Sequence, residues 1–394
     1  MRYLLFLVLA LASLSVEAYG GGKDTVQTND LDLELEIVQY YRAMLERRFQ
    51  LWLSRSEDVG WRKKYLDYHY RYLFGIGQNS DEILELAWKE LERLQGQMEA
   101  LAKRIEPGLE YWDFLEQIKN DCPRNEKELV EAYRREMGRV ASFVQRKGLV
   151  SVPDYARFVD AKLGSAKSGY AFGYFLPPRW RKGGSKTGYF VVIAPGKGAT
   201  LQERRERFRS HNYSWIPAVS AHEGIPGHHL QLAVWAHTPV GLRKLCYNTA
   251  FVEGWGLYVE RLLDEAGYYT DPRERFAMLQ LRAWRAARVI VDQGLYLGFL
   301  SEDIAEDILV YQVGLEPLAA RLEVAKQRAR PFYYSGYFIG YRELLRLRRM
   351  ARQMLGKRFS LRWFHDTLLR IGPLPFHILE KELKRRILRY KRKK

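Results

Sequence analysis

Histidine and glutamate are concentrated in one short stretch of this 394-residue chain. Residues 220–231 read Ser-Ala-His-Glu-Gly-Ile-Pro-Gly-His-His-Leu-Gln, and residues 251–255 read Phe-Val-Glu-Gly-Trp. Five of the eight histidines fall within residues 211–237, so they are clustered rather than scattered. Imidazole and carboxylate are the usual zinc ligands of catalytic sites, where three protein ligands leave a fourth position for water. The composition of this stretch therefore predicts a zinc site.

The spacing of the histidines decides which of them can share one metal ion. In a His-Glu-x-x-His helix, two histidines one turn apart face the same way, and the glutamate is the general base beside a metal-bound water. Here His222 lies six residues before His228 and seven before His229, and seven residues of straight helix span about 10 Å. Pro226, flanked by glycines, is expected to break the helix and bring His228 back beside His222. We therefore predict His222 and His228 as metal ligands, with Glu223 as general base. His229 is the alternative second ligand, or otherwise a substrate-binding group.

Glu253 is the predicted third metal ligand. It lies 25 residues after His228 and opens an apolar helical run, and a carboxylate facing inward among apolar side chains needs a partner such as a metal ion. Any one of these histidines alone would fit an ordinary surface or core position. A purely structural zinc site usually closes all four positions with Cys or His. The predicted set leaves one position open, which favours catalysis.

The same stretch resembles a bacterial family known as domain of unknown function 885. The agreement covers about residues 125–385 and begins with His-Glu-Gly-Ile-Pro-Gly-His-His-Leu-Gln, followed by Glu-Gly-Trp-Gly-Leu-Tyr. Further matching segments are 284–295, Tyr337 with Gly340, Leu347-Arg348, and Phe364-His365-Asp366 followed by 372–375. The resemblance implies a mainly helical, zincin-like peptidase fold. The chain departs from the family at Tyr296 and Tyr333, where histidine and glutamine are common.

Two side chains are candidates to stabilise the oxyanion that forms when water attacks a carbonyl. Tyr337 lies in an aromatic run at 331–341 that is expected to form mostly core or pocket wall, and the family resemblance singles it out. His365 lies in a helix that we expect to begin after Ser360. It could act at the oxyanion or protonate the leaving amine, or it could pair with a carboxylate and hold two helices together.

Arginine is frequent in the helix predicted from Asp271 to Gly294. Most of these side chains are expected to be solvated or paired with carboxylates. Arg285 or Arg288 could instead bind a substrate carboxylate through its planar guanidinium group. Arg348, in a segment shared with the family, is a further candidate for substrate binding.

The chain is predicted to be mainly helical, with one domain over residues 30–394. Its parts are a helical N-terminal part (30–149), a site-bearing part (150–385) and a basic tail (386–394). Apolar residues recur at spacings of three and four from Leu84 to Ile105, which predicts a helix that packs in a bundle or docks a coiled-coil partner. Asn79 and Glu82 form a candidate capping box at its start.

A short β-structure is predicted just before the metal-binding stretch. The run 189–195 is β-branched and aromatic, and 170–176 is its expected partner in a small hairpin beside the cleft. Such an edge strand could pair with an extended peptide, or the hairpin could be purely structural.

The N terminus has the composition of a secretory signal peptide, with a charged start, a short apolar run and small residues near position 18. We predict a signal peptide at 1–18 and a polar linker at 19–29. The alternative is an uncleaved anchor, for which the apolar run is short. The mature protein is expected to be secreted or periplasmic, with no transmembrane segment after cleavage.

The formal net charge is +17, and loss of residues 1–18 leaves it unchanged because one positive and one negative side chain are removed. A charge of this size favours an anionic cell-envelope surface as partner. Nucleic acid is not expected, because no recognised binding motif occurs. Cys122 and Cys246 do not make a disulfide framework, and whether they pair is open.

These observations predict an exported zinc-dependent hydrolase, first of all a peptidase that cleaves short peptides. A metal-dependent amidase or esterase could use the same ligands. A non-catalytic cell-surface protein could also hold a structural metal ion. The substrate, the choice between terminal and internal cleavage, the oligomeric state and the choice among zinc, manganese and iron are open.

Overall fold

A computed structural model describes residues 28–165, 172–178, 187–238, 241, 243 and 246–392. The predicted signal peptide and nearly all of the predicted linker lie outside the described residues. Within the described residues, no helix has both the length and the apolar character needed to cross a membrane. Cys122 and Cys246 are not joined by a disulfide.

Helices make up most of the described chain, which confirms the prediction of a mainly α fold. The longer helices are α1 Thr28–Leu53, α2 Val59–Tyr68, α3 Ser80–Ile105, α4 Tyr111–Asn120, α5 Glu126–Lys147, α6 Leu201–Arg209, α7 Ile216–Glu223, α8 His228–His237, α9 Thr249–Glu265, α10 Pro272–Leu297, α11 Glu302–Asp307, α12 Pro317–Ala329, α13 Ser335–Leu355, α14 Leu361–Ile371 and α15 Phe376–Arg392. The strands are β1 Val159–Gly164, β2 Gly173–Leu176 and β3 Gly188–Ile193.

Local capping sets several helix ends, and the caps at Asn79 and Ser360 are where the sequence predicted them. Asn79 accepts a hydrogen bond from the backbone N–H of Glu82, and the Glu82 carboxylate accepts one from Asn79, so α3 begins with a capping box. Gly148, with φ of 61°, ends α5 in the left-handed conformation that glycine adopts readily. Ser360 caps α14 by accepting a hydrogen bond from the backbone of Trp363.

The core of the molecule forms around α3, α9, α10 and α13. The apolar seam of α3 packs on α10 within the chain, as the bundle interpretation expected. One continuous set of buried apolar side chains extends from Leu33 to Ile387. The N-terminal helices and the site-bearing part therefore share one hydrophobic core.

The strands form a three-stranded sheet in the order β1-β3-β2. β2 runs antiparallel to β3, with Phe175 opposite Phe190, and this confirms the predicted pairing for residues 173–176. Residues 170 and 171 of the predicted partner lie outside the described residues. β1 runs parallel to β3, with Ala161 also opposite Phe190, and it was not predicted. The sheet packs on α5, where Tyr133 contacts Phe190.

Helices α9 and α13 approach so closely that their backbones touch. A Cβ atom on Gly340 would lie 1.6 Å from the carbonyl oxygen of Ala250, and one on Gly254 would lie 2.4 Å from the carbonyl carbon of Gly340. Only glycine permits this contact. The close packing places the tyrosines at and before the start of α13 beside Glu253 on α9.

Candidate metal centre

The predicted break in the metal-binding stretch is present in the structure. α7 ends at Glu223 and α8 begins at His228, with the cis Ile225–Pro226 peptide bond between them. A Cβ atom on Gly227 would lie 1.9 Å from the carbonyl oxygen of His222, so the chain folds back directly onto the end of α7. The imidazole centroids of His222 and His228 are 4.6 Å apart, and the rings are nearly perpendicular. The structure thus brings the two predicted histidines together.

The third predicted ligand, Glu253, meets both histidines. Its Oε2 lies 3.2 Å from Nε2 of His228 and 3.8 Å from Nε2 of His222. Donor atoms about 2.0–2.1 Å from a tetrahedral zinc ion are about 3.3–3.4 Å apart, so these separations are close to what a zinc ion requires. All three side chains are buried. Two imidazoles and one carboxylate also form a known donor set for catalytic zinc.

Glu223 is a second carboxylate at the same cluster. One donor atom from each of His222, Glu223 and His228 lies within 4.8 Å of the others. Among the described residues, however, Oε2 of Glu223 is buried without a hydrogen-bond partner, whereas Glu253 contacts both imidazoles. Burial raises the pKa of Glu223 above its ordinary value, against the opposing effect of the two histidines. These contacts favour Glu253 as the third donor and leave Glu223 available for proton transfer.

Glu260 orients His222 from behind. Its Oε1 lies 2.7 Å from Nδ1 of His222, and the Glu260 side chain is fully buried. A carboxylate that accepts from one ring nitrogen directs the other nitrogen towards a metal. Sequence analysis missed Glu260, although it lies seven residues after Glu253 and therefore on the same face of α9 about two turns later.

The other two donors are oriented in the same way. Nδ1 of His228 lies 3.3 Å from Oε1 of Gln231, one turn along α8. The Tyr333 hydroxyl donates to Oε1 of Glu253 at 2.5 Å, so Oε2 is the oxygen that faces the histidines. Sequence analysis noted Tyr333 only as a departure from the family and did not select Gln231. Each of the three donors therefore has a second group that fixes the position of its ligating atom.

The carboxylates set the charge of the cluster. Burial by itself lowers the pKa of His222, but hydrogen bonds to Glu253 and Glu260 raise it to about 9. Burial by itself raises the pKa of Glu253, but the neighbouring His228 and His222 hold it well below its ordinary value. Glu253 is therefore ionised, and the cluster favours a positive charge at its centre.

The cluster lies in the wall of a cavity of about 290 Å³. Its walls come from β2 and β3, from α7 to α10, and from α12 and α13. The ring of Tyr337 stacks on that of His222 with centroids 6.2 Å apart, and burial raises the pKa of its hydroxyl well above the ordinary value, so it keeps its proton. Arg285 and Arg288 also line the cavity. These three predicted side chains therefore share one cavity with the metal-binding cluster.

His229 and Arg348 do not line this cavity. Successive residues of a helix point about 100° apart, so His229 faces away from the site that His228 faces. Nε2 of His229 donates to the carbonyl oxygen of Ala156 at 3.0 Å. Arg348 donates to Glu265 at 2.7 Å. The structure therefore brings neither side chain into contact with the cluster.

His365 is also outside the cavity and is fully buried. Its Nδ1 lies 2.7 Å from the carbonyl oxygen of Leu149, which can only accept, so Nδ1 carries the hydrogen. Nε2 then accepts a hydrogen bond from the Tyr258 hydroxyl at 2.7 Å. Both ring nitrogens are thus engaged in joining α14 to α9 and to the segment after α5. This arrangement matches the structural alternative considered for His365, except that the partners are a carbonyl and a hydroxyl.

His365 is expected to make the fold sensitive to acid. Burial lowers its pKa to about 4, whereas an unfolded histidine has a pKa of about 6.5. Between these values the unfolded chain binds more protons than the folded chain, so stability falls as the pH falls. The free energy of unfolding in urea, measured with a chelator present, should decrease below pH 6.5. In His365→Gln, which does not titrate, that decrease should be shallower by up to about 1.4 kcal/mol per pH unit. Equal slopes for the two proteins would contradict the assignment of a neutral His365.

Two solved structures that resemble this chain share its helical fold. A candidate lipoprotein from Colwellia psychrerythraea is 22% identical, with a TM-score of 0.71 over 83% of this chain and 55% of that one. A candidate lipoprotein of unknown function from Shewanella oneidensis is 20% identical, with a TM-score of 0.72 over 95% of this chain and 69% of that one. The chain thus spans about half of the first protein and about two thirds of the second. At these identities the likeness defines the fold. No curated protein matches the chain.

The family follows from the sequence. Residues 39–383 match the family described as bacterial protein of unknown function (DUF885). The chain belongs to this family, which confirms the resemblance found in the sequence. The zincin-like peptidase character of the fold, which the resemblance implied, stays a prediction.

Proposed function

We propose that this protein is a metal-dependent hydrolase, with zinc as the metal that fits best, and that it cleaves short peptides. The observation that carries the proposal is the convergence of Nε2 of His222, Nε2 of His228 and Oε2 of Glu253. These three side chains would hold the metal ion. When bound, zinc polarises a substrate carbonyl and lowers the pKa of a water molecule.

Two side chains of the cavity would carry the proton and stabilise the charge. Glu223 accepts a proton from the attacking water through its unpartnered Oε2 and passes it to the leaving amide nitrogen. A C–O bond forms, the C–N bond breaks, and the products are a carboxylate and an amine. Tyr337, which keeps its proton, donates to the oxyanion of the tetrahedral intermediate.

The β-structure supports a peptide as substrate over other amides or esters. Gly173, Tyr174 and Phe175 of β2 line the cavity. Among the described strands, β2 pairs along one edge only, with β3. An extended peptide can add to such an edge by main-chain hydrogen bonds. A small ester or amide would leave this strand unused.

The proposed place of action is outside the cytoplasm. It depends on the signal peptide predicted at 1–18, which lies outside the described residues. The net charge of +17 would favour attachment to an anionic cell-envelope surface.

Metal content of the purified protein tests the proposal. We expect about one zinc ion per chain in the wild type, and loss of that ion in His228→Ala and in Glu253→Ala, because each removes one of the three donors. His229→Ala is the matched control, because it removes the adjacent imidazole, which faces away from the cluster. It should retain the ion.

Two outcomes would count against the proposed centre. Absence of stoichiometric metal after loading with zinc, manganese or iron would remove the basis for the hydrolase. Loss of metal in His229→Ala but not in His228→Ala would show that the ligand set is wrong. Circular dichroism of each variant separates loss of metal from loss of fold.

A further inference from the structure

The cavity contains more positive charge than the proposed metal chemistry uses. Arg285 and Arg288 lie one turn apart on α10, and both are 5% exposed. Lys326 on α12 lines the same part of the cavity. Buried cations are rare in proteins unless a partner offsets the loss of water. The partners of these side chains therefore show whether the cluster is structural or binds a ligand.

Arg285 is accounted for by the metal centre. One of its terminal nitrogens lies 3.8 Å from Glu260, the carboxylate that orients His222. Another donates to the carbonyl oxygen of Leu281 at 3.2 Å. Its charge therefore compensates that of Glu260, and we assign it a positioning role rather than substrate contact.

Arg288 is held rigidly but is only partly paired. The aromatic rings of Trp284 and Tyr337 lie 4.1 and 4.3 Å from its guanidinium carbon and hold the group in place. The guanidinium can therefore donate hydrogen bonds only in its own plane. Its Nε donates to Glu323 at 2.5 Å. Among the described residues, the terminal nitrogen NH1 is buried without a hydrogen-bond partner. A rigid guanidinium with an unused edge is the geometry that recognises a carboxylate.

Lys326 adds to the positive potential at this end of the cavity. Burial is the main cause that lowers its pKa to about 8; Glu323 opposes this shift, and Arg288, Arg207 and Arg330 contribute to it. Glu323 is the carboxylate within ion-pair distance of Arg288. Lys326, which is partly buried, therefore adds positive charge beside the Arg288–Glu323 pair, and this charge favours an anion at this end of the cavity.

The distance to the metal centre limits what the anion can be. Tyr337 lies near both Arg288 and His222, since its ring centroid is 4.3 Å from the guanidinium carbon and 6.2 Å from the imidazole centroid. The guanidinium therefore lies within about 11 Å of a metal-binding ring. One residue of extended peptide spans about 3.3–3.6 Å. After allowance for the metal bond and the hydrogen bond to the anion, one or two residues fit between a carbonyl at the metal and a carboxylate at Arg288.

We propose that Arg288 and Lys326 form a subsite for the C-terminal carboxylate of a short peptide, so that the enzyme removes one or two residues from the C-terminal end. The cavity of about 290 Å³ agrees with this size, because it is at the lower limit of pockets that enclose a small molecule. This inference rests on the proposed hydrolase function and deepens it by naming the substrate class.

Three pentapeptides that share their first four residues test the subsite with the zinc-loaded protein, and the first two also share an uncharged last residue. The first has a free C-terminal carboxylate, the second a C-terminal amide, and the third is an amide that ends in glutamate. We expect kcat/KM for the first to exceed that for the second by on the order of 10-fold to 100-fold, because a charge-assisted hydrogen bond is lost. Mass spectrometry should detect a free amino acid or a dipeptide released from the C-terminal end. Equal cleavage of the first and third peptides would mean that any carboxylate is accepted and would overturn the assignment.

Variants of the subsite give the matched comparison. Arg288→Gln should raise KM for the free acid and bring the ratio of kcat/KM between free acid and amide close to one. Arg288→Lys should restore part of the preference for the free acid. Arg282→Gln is the control on the same helix, because Arg282 is also buried against an aromatic ring but pairs with Glu90. It should leave the ratio unchanged. If Arg288→Gln misfolds because Glu323 loses its partner, the double variant Arg288→Gln with Glu323→Gln removes both charges. The same kinetic comparison is then made with the double variant.

A binding measurement separates failure of the subsite from failure of the hydrolase. Glu223→Gln, loaded with zinc, should bind the free acid at least about 10-fold more tightly than the amide in calorimetry. Hydrolysis of both peptides at equal rates, or cleavage at internal bonds, would overturn the subsite and leave the hydrolase standing. If the free acid binds more tightly but the wild type hydrolyses no peptide, the hydrolase is overturned and the carboxylate subsite is left standing.

Discussion

Replacement of Glu223 by glutamine is expected to reduce peptide hydrolysis by about 10²-fold to 10⁴-fold, the usual contribution of a general base. Glutamine has nearly the same size and keeps the fold, but its amide cannot accept a proton. The reduction should be in kcat, with the zinc content unchanged, because Glu253 rather than Glu223 contacts both histidines. Steady-state kinetics and metal analysis on the same preparation measure both quantities.

Glu274→Gln is a suitable control for this prediction. Burial raises the pKa of Glu274, as it does for Glu223, but Glu274 pairs with Arg139 outside the cavity. The control should retain full activity. If Glu223→Gln instead lost its zinc and kept the same residual rate as the chain without metal, Glu223 would be a ligand rather than the base.

The arrangement of His222 and His228 followed from local chemistry in the sequence. Pro226 and the glycines beside it cannot continue a regular helix, and the short return they impose places two histidines six residues apart within 4.6 Å. The caps at Asn79 and Ser360 were predicted for the same reason. In each case the residues that determine the structure lie within a few positions of one another.

Other features depend on contacts between distant segments and could not be predicted in this way. β1 has the sequence Val-Asp-Ala-Lys-Leu-Gly, which carries little strand preference, and it forms because β3 offers a parallel edge. Arg348 lies on α13, which packs against α9, and His365 lies on α14, which packs against α8 and α15, so packing sets the direction in which each side chain faces. Their sequences were compatible with a cavity position, and only the packed structure shows that Tyr258 and Glu265 engage them instead.

Helix α9 links these observations, because one of its faces supplies one donor of the metal centre and positions another. Glu253 supplies a donor, Glu260 orients His222, and Gly256 lies between them in sequence. The glycines of the Glu-Gly-Trp-Gly motif therefore have roles that depend on the segments packed against α9. Gly254 permits contact with α13, and Gly256 makes room for the imidazole of His222.

Replacement of Gly256 by alanine is expected to lower zinc affinity by about 100-fold or more. This is at or above the upper end of the loss that follows mutation of a group that orients a metal ligand. A Cβ atom at this position would lie 2.4–2.6 Å from three atoms of the His222 ring. The ring would have to move, and Nε2 would leave Glu253 while Nδ1 left Glu260. Alanine is otherwise favoured over glycine in a helix by about 1 kcal/mol, so the steric contact decides the result. Zinc titration against a competing chelator measures the change.

Two further variants distinguish this steric effect from a general loss of stability. Gly138→Ala in α5 is the matched control, because a Cβ atom there meets nothing within 4 Å, and it should keep full zinc affinity and gain a little stability. In the metal-free state, Gly256→Ala combined with His222→Ala should unfold at a higher temperature than Gly256→Ala alone, because the clash requires the imidazole. Unchanged zinc affinity in Gly256→Ala would mean that His222 does not pack on α9 as described, and the ligand role of His222 would have to be reassigned.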